Sequence, residues 1–220
     1  MSLMTHHFNY FLLDWDGTLV MTLTIALDAY REAFAEIELY PSDEEIVTKA
    51  FGDWNPARKF PIPDNQQFID RIVQLINERM NTVELYPGVR DTLEQLKNAG
   101  KHLAVVTSSK RSTVEPAIKR LDLGHYFDVV LGKEDFVHEK PDPEILLKAM
   151  DQIHAVKEET VIVGDSPKDV EAGQRAGIST VRFYPKENEL FYKGGEKDTP
   201  RANYLINSFE AIFDLGARVK

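Results

Sequence analysis

Two aspartates separated by one residue follow a short apolar run near the start of the sequence. The run is Tyr10–Leu13, and the next five residues, Asp14–Thr18, read Asp-Trp-Asp-Gly-Thr. Carboxylates at this spacing can divide the work of group transfer, because Asp14 can act as a nucleophile or metal ligand while Asp16 donates and accepts a proton. Gly17 allows a tight turn that presents backbone amides to an anion. The same residue types also form turns without any function, so this block alone fits an acidic turn equally well.

Hydroxyl groups follow a second apolar run, Leu103–Val106, in the segment Thr107–Ser109. Hydroxyls and amides that emerge from a strand end can hold a phosphate oxygen, and we expect this of Thr107 and Ser108. A little further on, Ser112–Glu115 reads Ser-Thr-Val-Glu and matches the capping-box pattern. We therefore expect Ser112 to cap a helix.

A lysine lies between an acidic residue and a proline in Glu139–Pro143, which reads Glu-Lys-Pro-Asp-Pro. Pro141 favours an extended conformation for Lys140. Asp142 can cap a helix that Pro143 begins at its first position. Lys140 would then be a fixed positive charge, although a single lysine is more often solvated surface.

A further aspartate follows the apolar run Val161–Val163, in a segment that reads Gly-Asp-Ser-Pro-Lys-Asp. Asp165 stands where the strand should end, so its oxygens could bind a hard cation. Ser166 and Asp169, with a proline between them, match the start of a capped helix. Helix capping does not explain Asp165.

The elements that must position these groups alternate between short apolar runs and helix-length amphipathic segments. That alternation is typical of βα units around a parallel sheet, and the uniformly apolar runs indicate burial on both faces. The predicted strands are Tyr10–Leu13, Leu103–Val106, Val129–Leu131, Val161–Val163 and Thr180–Phe183. Ligands bind outside the carboxyl ends of strands in such sheets, so the four groups should converge there.

One segment, between Thr22 and Glu84, shows helical patterns only. Thr24–Glu38 and Asp64–Val83 are predicted helices, and Pro41–Glu45 resembles an N-cap with an acidic first turn. We interpret residues 22–84 as a helical domain inserted into a core formed by residues 4–21 and 85–220. The charged segment Pro185–Pro200 is predicted to be a mobile loop.

Composition narrows the function classes. The 220 residues carry 26 Lys plus Arg against 36 Asp plus Glu, a net charge of −10 that disfavours a nucleic-acid partner. The absence of cysteine excludes disulfides and thiolate catalysis. No apolar run approaches the roughly 18–20 residues that span a bilayer, and the start of the chain, with His6 and His7, lacks the features of a signal peptide. We expect a cytoplasmic enzyme without a membrane partner, and the oligomeric state stays open.

Taken together, the four groups resemble the haloacid dehalogenase superfamily of phosphohydrolases. The resemblance extends from Tyr10 to about Leu215 and depends on the Asp-x-Asp-Gly-Thr block together with the Gly-Asp-Ser-x-x-x-Asp block. The helical insertion and the Lys-Pro-Asp-Pro phrase resemble the subgroup that contains phosphoglycolate phosphatases and β-phosphoglucomutase. The resemblance implies an α/β fold with a Rossmann-like three-layer parallel-sheet core and an inserted helical cap domain.

The resemblance also implies a reaction, hydrolysis of a small phosphorylated metabolite, a phosphoric monoester, through an aspartyl-phosphate intermediate. Asp14 would be the nucleophile and Asp16 the general acid and base. Thr107 and Lys140 would hold the transferring phosphoryl group, with Gly17 and Ser108 as further phosphate-binding residues.

The implied cofactor is Mg²⁺. Asp14, the backbone carbonyl of Asp16 and Asp165 would bind it, while Asp169 would ligate it through water or orient Lys140. The second aspartate of the first block, Asp16, is present in this sequence. Within the resemblance, its presence favours ester hydrolysis over the carbon–halogen or carbon–phosphorus cleavage of other branches of the superfamily. A phosphomutase would share every catalytic residue, and a non-catalytic binding protein could share the fold.

Substrate specificity is expected in the inserted helices, which would close over the site. Trp54, Arg58 and Lys59 lie in a loop between two of them. Arg58 or Lys59 could meet a carboxylate or second phosphate of the substrate, and Trp54 could shape the pocket. Because exposed arginine and lysine are common, a solvated charge pair beside a packed aromatic ring is the stronger alternative.

Overall fold

The computed structural model describes residues 8–192 and 200–215 of the chain, which lie around one six-stranded parallel sheet. The spatial order of the strands is β3-β2-β1-β4-β5-β6. In chain order they are β1 (Tyr10–Leu13), β2 (His102–Val106), β3 (Val129–Leu131), β4 (Thr160–Gly164), β5 (Ser179–Phe183) and β6 (Tyr204–Ile206). The predicted α/β class and parallel sheet are confirmed. The sequence analysis missed β6.

Helices cover both faces of the sheet because alternate strand residues point to opposite sides. Phe11 and Leu13 of β1 belong to one hydrophobic core cluster, and Leu12 between them belongs to the other. The described helices are α1 (Thr22–Glu36), α2 (Asp43–Lys49), α3 (Asn65–Arg79), α4 (Val89–Asn98), α5 (Arg111–Arg120), α6 (Glu144–Gln152), α7 (Pro167–Ala176) and α8 (Glu189–Tyr192). The first cluster includes residues of α4 and α5, and the second includes residues of α6 and α7. The core is therefore the expected three-layer arrangement.

The helices α1 to α3, within what we call the helical insertion (residues 22–84), have a hydrophobic cluster of their own. Phe34 of α1 packs against Phe68 of α3 with tilted rings at a centroid distance of 4.7 Å, and Ile46 of α2 is fully buried in the same cluster. The chain enters and leaves the insertion side by side, since the Met21 N–H donates to the Glu84 carbonyl at 2.9 Å. The N-cap and acidic first turn predicted at the start of α2 are present, and Ser42 forms a capping box with Glu45.

The start of α5 contradicts the predicted cap at Ser112. The helix begins at Arg111 after Lys110, so Ser112 already lies in its first turn. The Arg111 N–H donates to the Glu134 carboxylate at 3.0 Å. Glu134, which is distant in sequence, thus satisfies an N–H group at the start of α5, whereas the local pattern had assigned that task to Ser112. The start of α6 also differs by one residue: Pro143 precedes the helix, and Asp142 accepts from the Glu144 N–H at 2.9 Å.

The segment predicted as a loop, Pro185–Pro200, contains helical residues from Lys186 to Tyr192. Lys186–Asn188 forms a 3-10 turn and α8 follows directly. Residues 193–199 lie outside the described residues, as do His6 and His7. Within the described ranges, no helix has both the length and the apolar character needed to cross a lipid bilayer.

Candidate active site

Three buried carboxylates meet at the carboxyl ends of β1 and β4. Asp14 follows β1, Asp165 follows β4, and these strands are direct neighbours in the sheet. Asp169, in the first turn of α7, completes the group. Each of the three is at most 6% exposed, and each offers an oxygen within 4.8 Å of the others. Strand pairing and the start of α7 therefore bring together residues that are about 150 positions apart in the chain.

Lys140 lies among these carboxylates and is itself only 7% exposed. Its Nζ is 2.6 Å from Asp14 Oδ1, 2.6 Å from Asp169 Oδ1 and 3.2 Å from the Val106 carbonyl. These three acceptors use all three protons of the ammonium group. Lys140 is thus a fixed, desolvated charge, unlike a solvated surface lysine.

Asp169 both contacts Lys140 and caps a helix, two roles that the sequence suggested as alternatives. One oxygen pairs with Lys140, while the other accepts from the Ser166 N–H at 3.1 Å and from its hydroxyl at 2.8 Å. The carboxylate therefore closes the predicted capping box of α7 and orients Lys140 at the same time. A Cβ at Gly164 would lie 2.4 Å from Asp169 Cγ, so a glycine is needed there.

The Asp16 side chain contacts the hydroxyls that follow β2. Its Oδ2 accepts from the Ser109 hydroxyl at 2.6 Å and from the Thr107 hydroxyl at 3.3 Å, and its residue is only half-buried. Ser109 was not assigned a role from sequence, although it belongs to the hydroxyl run at Thr107–Ser109. Ser108 is exposed. The Asp16 carboxyl is therefore held by hydroxyls, whereas Asp14 and Asp169 pair with Lys140.

Gly17 makes the turn between Asp14 and the helical insertion possible, but its own amide does not face the site. Its φ is +72°, and an added Cβ would lie 2.2 Å from Asp165 Oδ2. The Gly17 N–H donates to the Val20 carbonyl at 3.0 Å and to the Thr22 hydroxyl at 3.2 Å. The glycine is needed for its positive φ and for the close approach of Asp165. Its role in binding phosphate stays a prediction.

Burial dominates the electrostatics of the site. It raises the pKa of Asp14 well above its usual range, because Lys140 offsets desolvation and the neighbouring carboxylates only in part. Burial also raises the pKa of Asp165 to about 7, with Asp169 contributing in the same direction. For Lys140, burial lowers the pKa, but Asp14 and Asp169 more than compensate and the net shift is upward. The site thus has an excess of negative charge that a cation would relieve.

Both oxygens of Asp165 also accept hydrogen bonds from side chains that carried no role in the sequence analysis. The Thr18 hydroxyl donates to Oδ1 at 2.9 Å and the Tyr192 hydroxyl donates to Oδ2 at 2.5 Å. Thr18 belongs to the first aspartate block, so its position was visible in the sequence. Tyr192 belongs to the segment predicted as a loop, and no local pattern pointed to it.

The donor set fits a hard divalent cation. Mg²⁺ binds oxygen ligands, and three buried carboxylates within 4.8 Å of one another offer them at one point. Lys140 neutralises only part of their charge. The structure therefore contains a cluster that could bind a metal.

The predicted specificity residues lie within the helical insertion. Trp54 is 76% exposed, Arg58 ends the 3-10 turn Pro56–Arg58, and Lys59 pairs with Asp53 at 3.2 Å. Their loop begins at Phe51, which packs on Phe191 at a centroid distance of 5.3 Å. The loop therefore starts beside the helical turn that carries Tyr192.

Comparisons with known proteins agree with this arrangement. The family model for haloacid dehalogenase-like hydrolases matches residues 11–183. A pyrophosphatase PpaX from Oceanobacillus iheyensis is 34% identical over 174 residues, which are 77% of this chain and 80% of that protein. A second PpaX, from Halalkalibacterium halodurans, is 30% identical over 218 residues, 94% of this chain and 96% of its own.

A solved structure of similar fold comes from Thermotoga maritima and is described as a candidate β-phosphoglucomutase. It has a TM-score of 0.75 and 28% sequence identity, and the match covers 96% of this chain and 100% of that one. The matched residues 11–183 include every carboxylate of the site and Lys140. The chain belongs to the haloacid dehalogenase-like hydrolase family and is a hydrolase of the phosphatase type.

Proposed function

We propose that the protein is a Mg²⁺-dependent phosphatase that uses Asp14 as its nucleophile on a small phosphorylated substrate. The observation that carries the proposal is the buried contact of Lys140 with Asp14 at 2.6 Å, beside Asp165 and Asp169. Phosphoryl transfer needs a nucleophile in line with the leaving group and fixed positive charge around the phosphoryl oxygens. Lys140 would supply fixed charge next to the attacking oxygen.

In the first half of the reaction, an Asp14 oxygen forms a bond to phosphorus while the bond from phosphorus to the leaving oxygen breaks. Asp16 would donate its proton to that oxygen, so that a neutral alcohol or a protonated phosphate leaves. Ser109 and Thr107 hold the Asp16 carboxyl in place. Lys140 would stabilise the charge that spreads over the phosphoryl oxygens.

In the second half, water attacks the phosphorus of the aspartyl-phosphate, and the bond to the Asp14 oxygen breaks. Asp16, now ionised, would take the proton from the attacking water, so both groups return to their starting states and inorganic phosphate leaves. One carboxyl can serve both steps because the hydroxyls of Ser109 and Thr107 hold it, whereas Lys140 contacts Asp14.

Asp14, Asp165 and the backbone carbonyl of Asp16 would hold Mg²⁺. When bound, the ion would offset the repulsion between the carboxylates and an anionic substrate. Asp169 is already committed to Lys140 and to the cap of α7. We therefore assign it the orienting role rather than direct ligation.

The names of the relatives suggest which substrates to test first. Two relatives at 30% and 34% identity are pyrophosphatases, so inorganic pyrophosphate is included in the proposal beside small phosphomonoesters. The match to a candidate β-phosphoglucomutase keeps a phosphomutase as the rival function. A mutase would return the phosphoryl group to a sugar and release an isomerised sugar phosphate instead of phosphate.

Thr107, Ser108 and the loop residues Trp54, Arg58 and Lys59 keep their proposed roles in binding phosphate and the rest of the substrate. The contact between Phe51 and Phe191 supports a position of this loop near the site. A cytoplasmic location also remains part of the proposal.

The test is phosphate release by the purified full chain with Mg²⁺ from a panel of phosphomonoesters and inorganic pyrophosphate. We expect turnover of at least one compound, and we expect Asp14→Asn to abolish it. Asp151→Asn is the matched control, because Asp151 is exposed at the end of α6 and should keep full activity. Absence of turnover across the panel with Mg²⁺ demonstrably bound would contradict the proposal, and an isomerised product would favour the mutase.

A further inference from the structure

The helical turn after β5 reaches the catalytic centre at two points. Asn188 is fully buried, and its Nδ2 donates to the Gly17 carbonyl at 2.8 Å. Its Oδ1 accepts from the Tyr86 hydroxyl. Four residues further on, the Tyr192 hydroxyl donates to Asp165. This turn therefore contacts both the backbone of the first aspartate block and the side chain of a proposed metal ligand.

The two hydroxyls on Asp165 approach it from different sides. Thr18 donates to Oδ1 and Tyr192 to Oδ2. An ionised carboxylate has about four lone-pair positions, so two hydrogen bonds leave others for a cation. Together the two donors restrict rotation of the carboxylate about its last bond and thereby set the direction of the remaining lone pairs.

Packing on two sides holds Tyr192 in position. The Arg182 guanidinium of β5 lies over the Tyr192 ring, 5.3 Å from its centroid. The neighbouring residue, Phe191, packs on Phe51 of the helical insertion. The hydroxyl is thus directed at Asp165 by contacts with both the sheet and the insertion, and its orientation depends on both.

We infer that Tyr192 is a positioning residue for the metal site, which acts by fixing the Asp165 carboxylate together with Thr18. The inference rests on the proposed function insofar as Asp165 is a ligand of Mg²⁺. Partners that orient a metal ligand typically change metal affinity by about 10–100-fold when removed.

The test is direct binding of Mg²⁺ to the metal-free full chain, measured by titration calorimetry without substrate. Tyr192→Phe keeps the ring and its packing and removes only the hydroxyl. We expect it to bind Mg²⁺ about tenfold more weakly than the wild type. Tyr204→Phe, which removes a hydroxyl from a tyrosine on the edge strand β6, should bind as the wild type does. Thr18→Val is a second variant that removes the donor on the other oxygen, and it should also weaken binding.

Turnover separates positioning from a merely structural role. For Tyr192→Phe, the Mg²⁺ concentration that gives the half-maximal rate should rise by the same factor as the Mg²⁺ dissociation constant measured without substrate. Unchanged or tighter Mg²⁺ binding by Tyr192→Phe would overturn the inference. A wild type that binds Mg²⁺ but hydrolyses nothing would refute the proposed function and leave this inference intact.

Discussion

Replacement of Lys140 by methionine should destabilise the metal-free protein strongly. The change keeps an unbranched side chain, one heavy atom shorter, but removes the cation that lies 2.6 Å from both Asp14 and Asp169. Removing one partner of a buried ion pair typically costs about 3–5 kcal/mol, because the remaining charge stays buried without compensation. For a chain of this length 1 kcal/mol corresponds to about 2–4 °C in Tm, so we expect a fall of about 10 °C.

The loss of stability in Lys140→Met should depend on pH and on Mg²⁺. Without Lys140, the three clustered carboxylates can relieve their repulsion only by taking up protons, so the destabilisation should be smaller in acid and larger above neutral pH. Mg²⁺ would supply positive charge at the same place and should restore part of the lost stability. Activity should be lost even where the variant is folded, because the fixed charge beside Asp14 is absent.

The assay is thermal unfolding of the wild type and Lys140→Met, with and without Mg²⁺, at several pH values. Lys148→Met is the matched control, since Lys148 also pairs with a carboxylate, Glu144, at 2.8 Å but on the surface. Its Tm should shift by at most a few degrees, because exposed pairs contribute little. If Lys140→Met unfolded at the wild-type temperature, or if its loss were the same at every pH, the electrostatic reasoning would be refuted.

Two further predictions concern Asp165 and Gly17. In the metal-free protein, burial raises the pKa of Asp165 to about 7, so its contribution to stability is greatest in acid and declines as the pH rises through about 7. Mg²⁺ must displace that proton, so its stabilising effect on Tm should grow from about pH 5 to about pH 8, and a flat or opposite trend would contradict the assignment. Gly17→Ala should lose Mg²⁺ binding, because the new Cβ would meet Asp165, whereas Gly100→Ala shares the positive φ but has nothing within 4 Å. Equal Mg²⁺ titrations for the two variants would show that the close approach is unimportant.

The strands and the polar residues that follow them could be predicted from sequence because both depend on local patterns of residues. Four of the five predicted strands are uninterrupted apolar runs, while Thr180–Phe183 contains Arg182. The structure moves the ends of the predicted strands by at most one residue, as at His102 and Thr160. The order of the runs along the chain also placed Asp14 and Asp165 at the same edge of the sheet. Burial on both faces produces that apolar pattern, so it could be recognised without knowing any contact.

The elements that were missed depend on contacts between distant segments. The edge strand β6, Tyr204–Ile206, has three residues and only one of them is buried, so its composition does not distinguish it from a loop. The cap predicted at Ser112 was wrong because Glu134 satisfies the start of α5 from another part of the chain. The contact of Tyr192 with Asp165 also joins distant segments, so it could not be predicted before the fold was known.

Within the candidate site, the sequence identified the charged groups better than their partners. Lys140 and Asp169 were named, but only the structure shows that one carboxylate both caps α7 and orients the lysine. Ser109 contacts Asp16 more closely than Thr107 does, a difference that depends on how the chain turns after β2. Neighbouring hydroxyls in a run cannot be ranked before that turn is known.

The central claim is that Asp14 itself accepts the phosphoryl group. The most direct measurement is an acid quench of the working enzyme, shortly after mixing with a substrate labelled in its phosphoryl group, followed by peptide mapping. We expect the label on the peptide that contains Asp14, sensitive to hydroxylamine as an acyl phosphate is, and no label with Asp14→Asn. A label on another residue, or undiminished turnover by Asp14→Asn, would contradict the account.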